Sequence, residues 1–332
     1  MIPFTSTTFR FPDQVAPSAW IEHVPFMFWL FDALRPNRFV ELGTHTGVSY
    51  CAACQAIELL SLPCTGCAID TWKGDEHAGF YDEAVYSDLA AYHAPRYADF
   101  SRLMRSTFDD AVDDFEDGSI DLLHIDGLHS YDAVRRDFES WQPKLTQNAI
   151  VLFHDTNVHE RDFGVFRLWS EVSAGRPHFE FLHGHGLGVL GIGKKYPKAI
   201  AALFAAGKQD SEREAVRSAF AHLGQAVAQR GTAVQAARQA EAEFALSRKE
   251  WQRQIEQRDA EFALSRENWV RQLESRDNEI ARAQEATSAI EERLRRSEFA
   301  VRELRDSTSW RVTGPLRALS AYINWLLRSV RS

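Results

Sequence analysis

Between residues 38 and 192 short apolar runs alternate with segments of helical period, and few architectures accommodate that alternation. RFVELG (38–43), TGCAIDTW (65–72), SRLMRS (101–106), SIDLLHIDG (119–127) and NAIVLFHD (148–155) read as strands. VSYCAACQAIELL, FDDAVDDF and YDAVRRDFESWQPKL read as helices between them, and the irregular stretch to about residue 98 must contain another helix. Strand and helix in repetition predict a doubly wound α/β fold, a mostly parallel sheet covered on both faces. The continuously apolar DLLHI and AIVLF suit central strands buried on both sides. A helix (VFRLWSEV) and two short strands (HFEFLH, GLGVLGIG) follow, close enough for an antiparallel hairpin at the sheet edge.

Past about residue 209 the aromatic and glycine-rich composition gives way to Ala, Glu, Gln and Arg. The expected organisation is a helical lead-in (1–37), the α/β body (38–196), an alanine-rich helical region (197–240), a coiled coil (241–306) and a basic tail (307–332). Within the coiled coil, AEFALSRKEWQRQIEQRD is followed by AEFALSRENWVRQLESRD, a period of 18 residues or five helical turns. Phe244, Trp251, Ile255, Phe262, Trp269 and Leu273 therefore return to one face, and the stutters in their heptad spacing predict a nearly straight coiled coil and a homo-oligomer. A lone helix would leave those rings in water. After Gly314-Pro315, Leu316, Leu319, Ile323, Leu326, Leu327 and Val330 recur at helical spacing beside arginines. Such a helix suits either the interface of an anionic membrane or another protein chain, a glycan-assembly partner for instance.

A net charge of -9 argues against nucleic acid as a partner, because phosphate recognition needs a basic footprint. No apolar run approaches the roughly 20 residues of a membrane span, and the start lacks a signal-peptide layout. The expected location is cytoplasmic, with the tail available to the inner face of the membrane. Cys51, Cys54, Cys64 and Cys67 form C-x-x-C twice, a spacing that can mean zinc. If Val48 to Leu60 is helical, Cys51 is more than about 10 Å along the axis from the loop holding Cys64. Buried reduced thiols are the favoured reading.

In an open parallel sheet, ligands bind at the carboxyl ends of the strands near the point where strand order reverses. The first strand ends in ELGTHTG, where Glu41 precedes Gly43 and Gly47; the acid would repel a pyrophosphate but suits a cationic ligand. Asp70 ends the second strand, at the distance expected of an acceptor for ribose hydroxyls. Together they suit an adenosine-bearing cationic ligand without phosphates, such as S-adenosylmethionine. Asp126 and Asp155 end two further strands, and strands about 4.8 Å apart let both meet over one ion. With Thr156, Asn157 and water the set is oxygen-rich, suited to Mg²⁺ or a similar divalent cation. The plainer reading has Asp126 cap the following helix and Asp155 merely end its strand. His129, three residues after Asp126, can overlook the same pocket as a base; His124 reads as a core histidine, and His154 as ligand, supporting group or base.

These stretches resemble class I S-adenosylmethionine-dependent methyltransferases, in particular the bacterial family that includes metal-dependent sugar O-methyltransferases of macrolide biosynthesis. The resemblance spans residues 20–192 and rests on VELGTHTGVSY, AIDTWKGDEHAGFY, DLLHIDGLHSYDAVRRDFESW, AIVLFHDT and GLGVLGIG. It implies cofactor contacts at Glu41, Gly43, Thr44, Gly47, Asp70 and Ser106, metal ligands at Asp126 and Asp155, and catalytic roles for His129 and Asp126. His45 stands where many methyltransferases have glycine, and His154 where some relatives have a carboxylate, which leaves the third protein ligand open. Trp72, Asp75, His77 and Tyr81 resemble a loop over the acceptor pocket. The tail, S-x-S-W-R-x-T-x-P-L-R, resembles endings of bacterial polysaccharide-assembly proteins. The expected function is O-methylation of a sugar or glycan precursor; the alternatives are a phenolic or other small acceptor, or an interaction protein with a vestigial methyltransferase body.

Overall fold

Strands β1 (Arg38–Leu42), β2 (Thr65–Asp70), β5 (Ser101–Arg105), β6 (Ile120–Ile125), β7 (Leu145–His154), β8 (His178–Phe181) and β9 (Leu187–Gly191) form one sheet in the computed structural model. The structure describes residues 2–75, 79–160 and 162–329, with side chains through 325. The sheet order is β5-β2-β1-β6-β7-β9-β8, and a separate two-stranded ribbon pairs β3 (Gly74–Asp75) with β4 (Gly79–Phe80). The first five strands pair in parallel, while β9 runs antiparallel to both β7 and β8. This is the expected doubly wound sheet with an antiparallel edge hairpin. Strand order reverses between β1 and β6, whose ends are joined by Asp126 N donating to Leu42 O at 2.8 Å.

Alternation along the strands sorts side chains into two cores. Phe39, Leu122, Ile150 and Leu152 face α1 (Val24–Leu34), α2 (Val48–Leu59) and α7 (Lys198–Ala206), whereas Val40, Leu123, Val151 and Phe153 face α5 (Tyr131–Trp141) and α6 (Val165–Ser173). Helix α1 starts on Pro25, is apolar on all sides from Val24 to Phe31 and buried throughout that run, and ends where Arg35 turns left-handed at φ 53°. On the first face, the register pairs Glu41 of β1 with His124 of β6. Helices α3 (Glu83–Tyr97) and the single-turn α4 (Phe108–Ala111) flank β5 in sequence.

The body continues beyond Tyr196, where the sequence suggested its end. Helix α7 buries Ile200, Leu203 and Phe204, and the long α8 (Asp210–Asp306) begins by burying Val216, Phe220 and Val227. The Phe220 ring packs 5.5 Å from Phe26 and 5.3 Å from Phe181. The alanines hid these anchors by diluting the apolar composition without disturbing its three- and four-residue spacing. All four cysteines are free and buried; Cys51, Cys54 and Cys64 lie in one core and Cys67 in the other, across the sheet.

The chain divides into two compact units, Met1–Ala242 and Glu243–Ser332. In the second, Phe244, Trp251, Ile255, Phe262, Trp269 and Leu273 of α8 are all exposed. Helices α9 (Thr308–Val312) and α10 (Gly314–Ser329) follow. Their junction uses the tail motif: the Arg317 guanidinium stacks 3.6 Å from the Trp310 ring and donates to Trp310 O and Thr313 Oγ1. Val330 and Arg331 lie outside the described residues. Among the described residues no helix is long and apolar enough to cross a membrane.

Candidate active site

A cavity of about 440 Å³ opens at the carboxyl ends of β1, β2, β5 and β6, a size usual for small-ligand sites. Its lining includes Gly43, Thr44, Asp70, Asp126 and His129, brought together from three separate stretches. The first turn is held close by two devices. Gly43 has φ +86°, and a Cβ there would stand 2.0 Å from Asp126 O, so only glycine lets β1 turn beside the end of β6. Asp70 then ties the turn to β2: its Oδ2 accepts from the backbone N–H groups of Thr44 (2.9 Å) and His45 (3.0 Å), and its Oδ1 from Trp72 N (2.7 Å). The ribose acceptor foreseen in the sequence is thus first of all the brace of the ligand loop.

Three expected cofactor residues do not line the cavity. Gly47 has φ +77° at the start of α2, where a Cβ would meet Leu89 at 2.4 Å, so its place is fixed by packing. Ser106 donates its backbone N–H to Asp70 O. Glu41 is fully buried in β1, where His124 Nδ1 donates to its Oε2 at 2.8 Å and Trp20 Nε1 donates to His124 Nε2 at 3.0 Å. Burial raises the Glu41 pKa against the lowering effect of His124. This chain of bonds anchors Trp20, which does line the cavity with Ser18. The N-terminal lead-in therefore supplies wall residues that carried no motif.

Beside Asp126 and His129, β7 ends and Asp155 adopts φ +60°, a left-handed conformation that aspartate tolerates better than most residues. The turn aims its carboxylate back at His154 and across to His129. His154 Nδ1 stands 3.2 Å from both Asp126 Oδ1 and Asp155 Oδ2, while its Nε2 contacts Gly184 O at 3.1 Å. His129 Nε2 is 2.9 Å from Asp155 Oδ2 and 3.8 Å from Asp126 Oδ1, with its ring stacked 4.6 Å from Phe163. His185 Nδ1 reaches Asp155 Oδ1 at 3.1 Å. Ser130, whose side chain accepts from Ala133 N, caps α5, so Asp126 is free of the capping role weighed for it.

Burial disfavours all the charged forms, yet His154 together with His129 holds Asp126 and Asp155 below the usual carboxylate range. For His129, burial lowers the pKa, and the hydrogen bonds and charges of Asp126 and Asp155 outweigh it and lift the value to about 9. His154 is raised for the same reason.

Donor atoms of Asp126, His154 and Asp155 lie within 4.8 Å of one another. With Nε2–H given to Gly184 O, neutral His154 directs its Nδ1 lone pair at two carboxylates. Either a proton or a cation must stand among them, and a ring nitrogen oriented through its other N–H is the usual support of a metal-binding imidazole. The residues fit a divalent cation. Of the oxygen-rich set weighed around Asp126 and Asp155, Asn157 Nδ2 donates to Leu182 O, and it is the His154 imidazole that stands beside the two carboxylates.

Above the cavity the Tyr81 and His45 rings stack at 4.5 Å, and Asp75 joins them in the lining. Trp72 lies beneath, buried, with its Nε1 donating to His45 O at 2.9 Å, so it braces the loop and does not cover the acceptor. His77 lies outside the described residues.

With this geometry in view, residues 40–156 match the model of a methyltransferase domain. That span runs from β1 to the turn after β7 and holds Glu41, Gly43, Asp70, Asp126, His129 and Asp155. A curated relative, the uncharacterized protein y4gI of Sinorhizobium fredii, is 52% identical over 196 residues, covering 59% of this chain and 21% of that protein. The match thus spans about a fifth of the relative's length. Among solved structures the chain is similar to the O-methyltransferase TomG of Streptomyces achromogenes, involved in tomaymycin synthesis and in complex with SAM, with 15% identity, 58% of this chain and 92% of that one covered, and a TM-score of 0.40. It is also similar to a methyltransferase from Geobacter sulfurreducens, with 16% identity, coverage of 52% and 78%, and a TM-score of 0.38.

Proposed function

We propose that this protein is an S-adenosylmethionine-dependent O-methyltransferase that uses a divalent cation and acts on a sugar hydroxyl of a surface-glycan precursor. The observation that carries the reading is the convergence of Asp126, His154 and Asp155 beside a cavity that the Gly43–Thr44 turn also lines. When bound, the cofactor supplies an electrophilic methyl group and the cation lowers the pKa of an acceptor hydroxyl. Asp126, His154 and Asp155 would hold the cation; the mixed nitrogen and oxygen donors suit Mn²⁺ or another first-row ion as well as Mg²⁺. Gly43, Thr44 and the Asp70-braced loop would hold the cofactor. His129, fixed between Phe163 and Asp155, takes the hydroxyl proton at Nε2 once the carboxylate charge is neutralised. Ser18, Trp20, His45 and Tyr81 offer the mix of polar groups and flat rings that suits a sugar.

The test is calorimetry with S-adenosylmethionine, then methyl transfer from the labelled cofactor to the cell's glycan lipids with Mg²⁺ or Mn²⁺. Absence of binding by the purified protein would sink the reading in favour of a vestigial body, and transfer only to phenolic acceptors would redirect it.

We also propose that the second unit pairs with a second copy of itself. From Ile280 the residues Ala283, Thr287, Ile290, Leu294, Ser297, Val301 and Leu304 follow at alternating three- and four-residue steps, without a charge among them. The polar side is satisfied within the helix, by pairs such as Glu267–Arg271 and Glu291–Arg295. A like helix is the partner with the same long uncharged stripe to offer.

A further inference from the structure

Helix α10 keeps an apolar face in the open. Leu316 is 67% exposed, Leu319 57%, Tyr322 58% and Ile323 47%. At about 100° per residue these four positions fall within an arc of roughly 120°, and the sequence continues the same arc with Leu326 and Leu327. Arg317 and Arg328 occupy positions on the opposite side. Tyr322 borders the apolar face, its ring stacked 6.1 Å from that of Trp325.

Charge narrows what can cover that face. The whole chain carries a net charge of -9, yet from Ser307 to Ser332 it has Arg311, Arg317, Arg328 and Arg331 and no acid. In α8 the arginines beside the uncharged stripe are neutralised within the helix, as in Glu291–Arg295, which suits a helix that meets a like helix. Helix α10 has no acid to play that part, so its positive charge calls for an anionic surface. A coiled-coil seam is also a narrow stripe repeated over several heptads, whereas α10 offers a broad face on 16 residues, about 24 Å of helix. A lipid surface meets both demands, because it presents anionic phosphates directly above hydrocarbon, with a boundary layer where tyrosine and tryptophan rings are favoured.

We propose that α10 is an in-plane membrane anchor, lying along an anionic bilayer with its leucine face at the acyl boundary and its arginines among the lipid phosphates. A basic helix with one apolar face and modest overall hydrophobicity rests in the interface and does not cross it. The α9–α10 junction supports this use, since Arg317 gives its donors to Trp310 O and Thr313 Oγ1, while Arg311 makes no ion pair among the described residues. The anchor is independent of the cofactor and of the acceptor.

The experiment is flotation of the full chain with vesicles of phosphatidylcholine alone, and with vesicles of phosphatidylcholine and phosphatidylglycerol in equal parts. The wild type should float with the mixed vesicles and bind the neutral ones at least about tenfold more weakly, a preference that high salt removes. Arg311→Gln with Arg328→Gln should weaken binding to the mixed vesicles about 20-fold, at about fivefold for each arginine. Leu319→Ser with Ile323→Ser should weaken it by about 100-fold or more. Each variant is checked for the parent's far-ultraviolet spectrum and, by light scattering, its mass. No flotation of the wild type, equal binding to both kinds of vesicle, or flotation that either double variant leaves intact overturns the anchor. A Leu319→Ser, Ile323→Ser variant that floats like the parent but loses oligomer mass overturns it in favour of a second copy of the chain.

Discussion

Gly43 and Asp126 are packed backbone to backbone: a Cβ on Gly43 would lie 2.0 Å from the Asp126 carbonyl oxygen, and Gly43 holds φ +86°. The turn after β1 and the backbone that carries the Asp126 carboxylate are thus set by one contact. Gly43→Ala adds both a clash with rigid backbone and left-handed strain, and should destabilise the body by about 3 kcal/mol or more. Thermal melting checks this. A variant melting within a degree of the parent would mean that the two strand ends separate easily and that the contact does not position the site.

His154 should matter more to cation binding than any neighbour outside the triad. Its Nδ1 faces two carboxylate oxygens at 3.2 Å, whereas His185, exposed at 60%, touches only Asp155 Oδ1. His154→Ala and Asp126→Asn are each expected to weaken Mn²⁺ binding on the order of 100-fold, and His185→Ala only about tenfold. Calorimetric titration of Mn²⁺ into cofactor-free protein gives the ranking. Equal, small effects for all three would show that no cation binds between Asp126 and Asp155.

Asp137 makes stability pH-dependent in a definite direction. Its folded pKa is raised from 3.8 to about 7, so its contribution is fully present below the lower value and is lost as pH rises through the upper one. Asp137→Asn escapes that loss, and in the ligand-free protein it should gain on the parent between pH 4 and pH 7, by at most about 4 kcal/mol at the plateau. Urea midpoints at pH 4.5 and pH 8 measure the difference. A margin that stays constant across this range would show that the carboxyl is not strained by burial.

Much of this was legible in the sequence because period and punctuation coincide. Asp126 and Asp155 each follow a continuously apolar strand, and a doubly wound sheet puts such residues at one edge. What stayed hidden depends on long-range contacts. Trp20 lies in a stretch without motif and reaches the cavity only through its bond to His124, 104 residues away in sequence. Glu41 looked like a ligand contact because it ends a strand, yet side-chain alternation turns it to the buried face opposite His124. Asp137 did leave a trace, an acid three residues after Val134 and next to Phe138 on the apolar face of α5. The part of His154 was ambiguous because its place beside two carboxylates depends on the left-handed turn at Asp155, which follows from no local pattern.

Pairing of the second unit is testable without knowledge of the substrate. Ile290 and Leu294 are adjacent members of the uncharged stripe, 65% and 58% exposed in the single chain. Burying such side chains contributes about 1.5–3 kcal/mol each, and ordering two bodies costs several times that, so the pairing relies on the whole length of the stripe. Ile290→Lys with Leu294→Lys removes two apolar anchors and brings like charges together, which should weaken association by about 1,000-fold, roughly 4 kcal/mol. Light scattering should find a defined oligomer for the parent and a monomer for the double variant at micromolar concentration. Arg295→Ala, on the polar side and paired within its own helix to Glu291 at 3.7 Å, should leave the mass unchanged. A monomeric parent, or a double variant with the parent's mass, would show that the stripe serves a different partner.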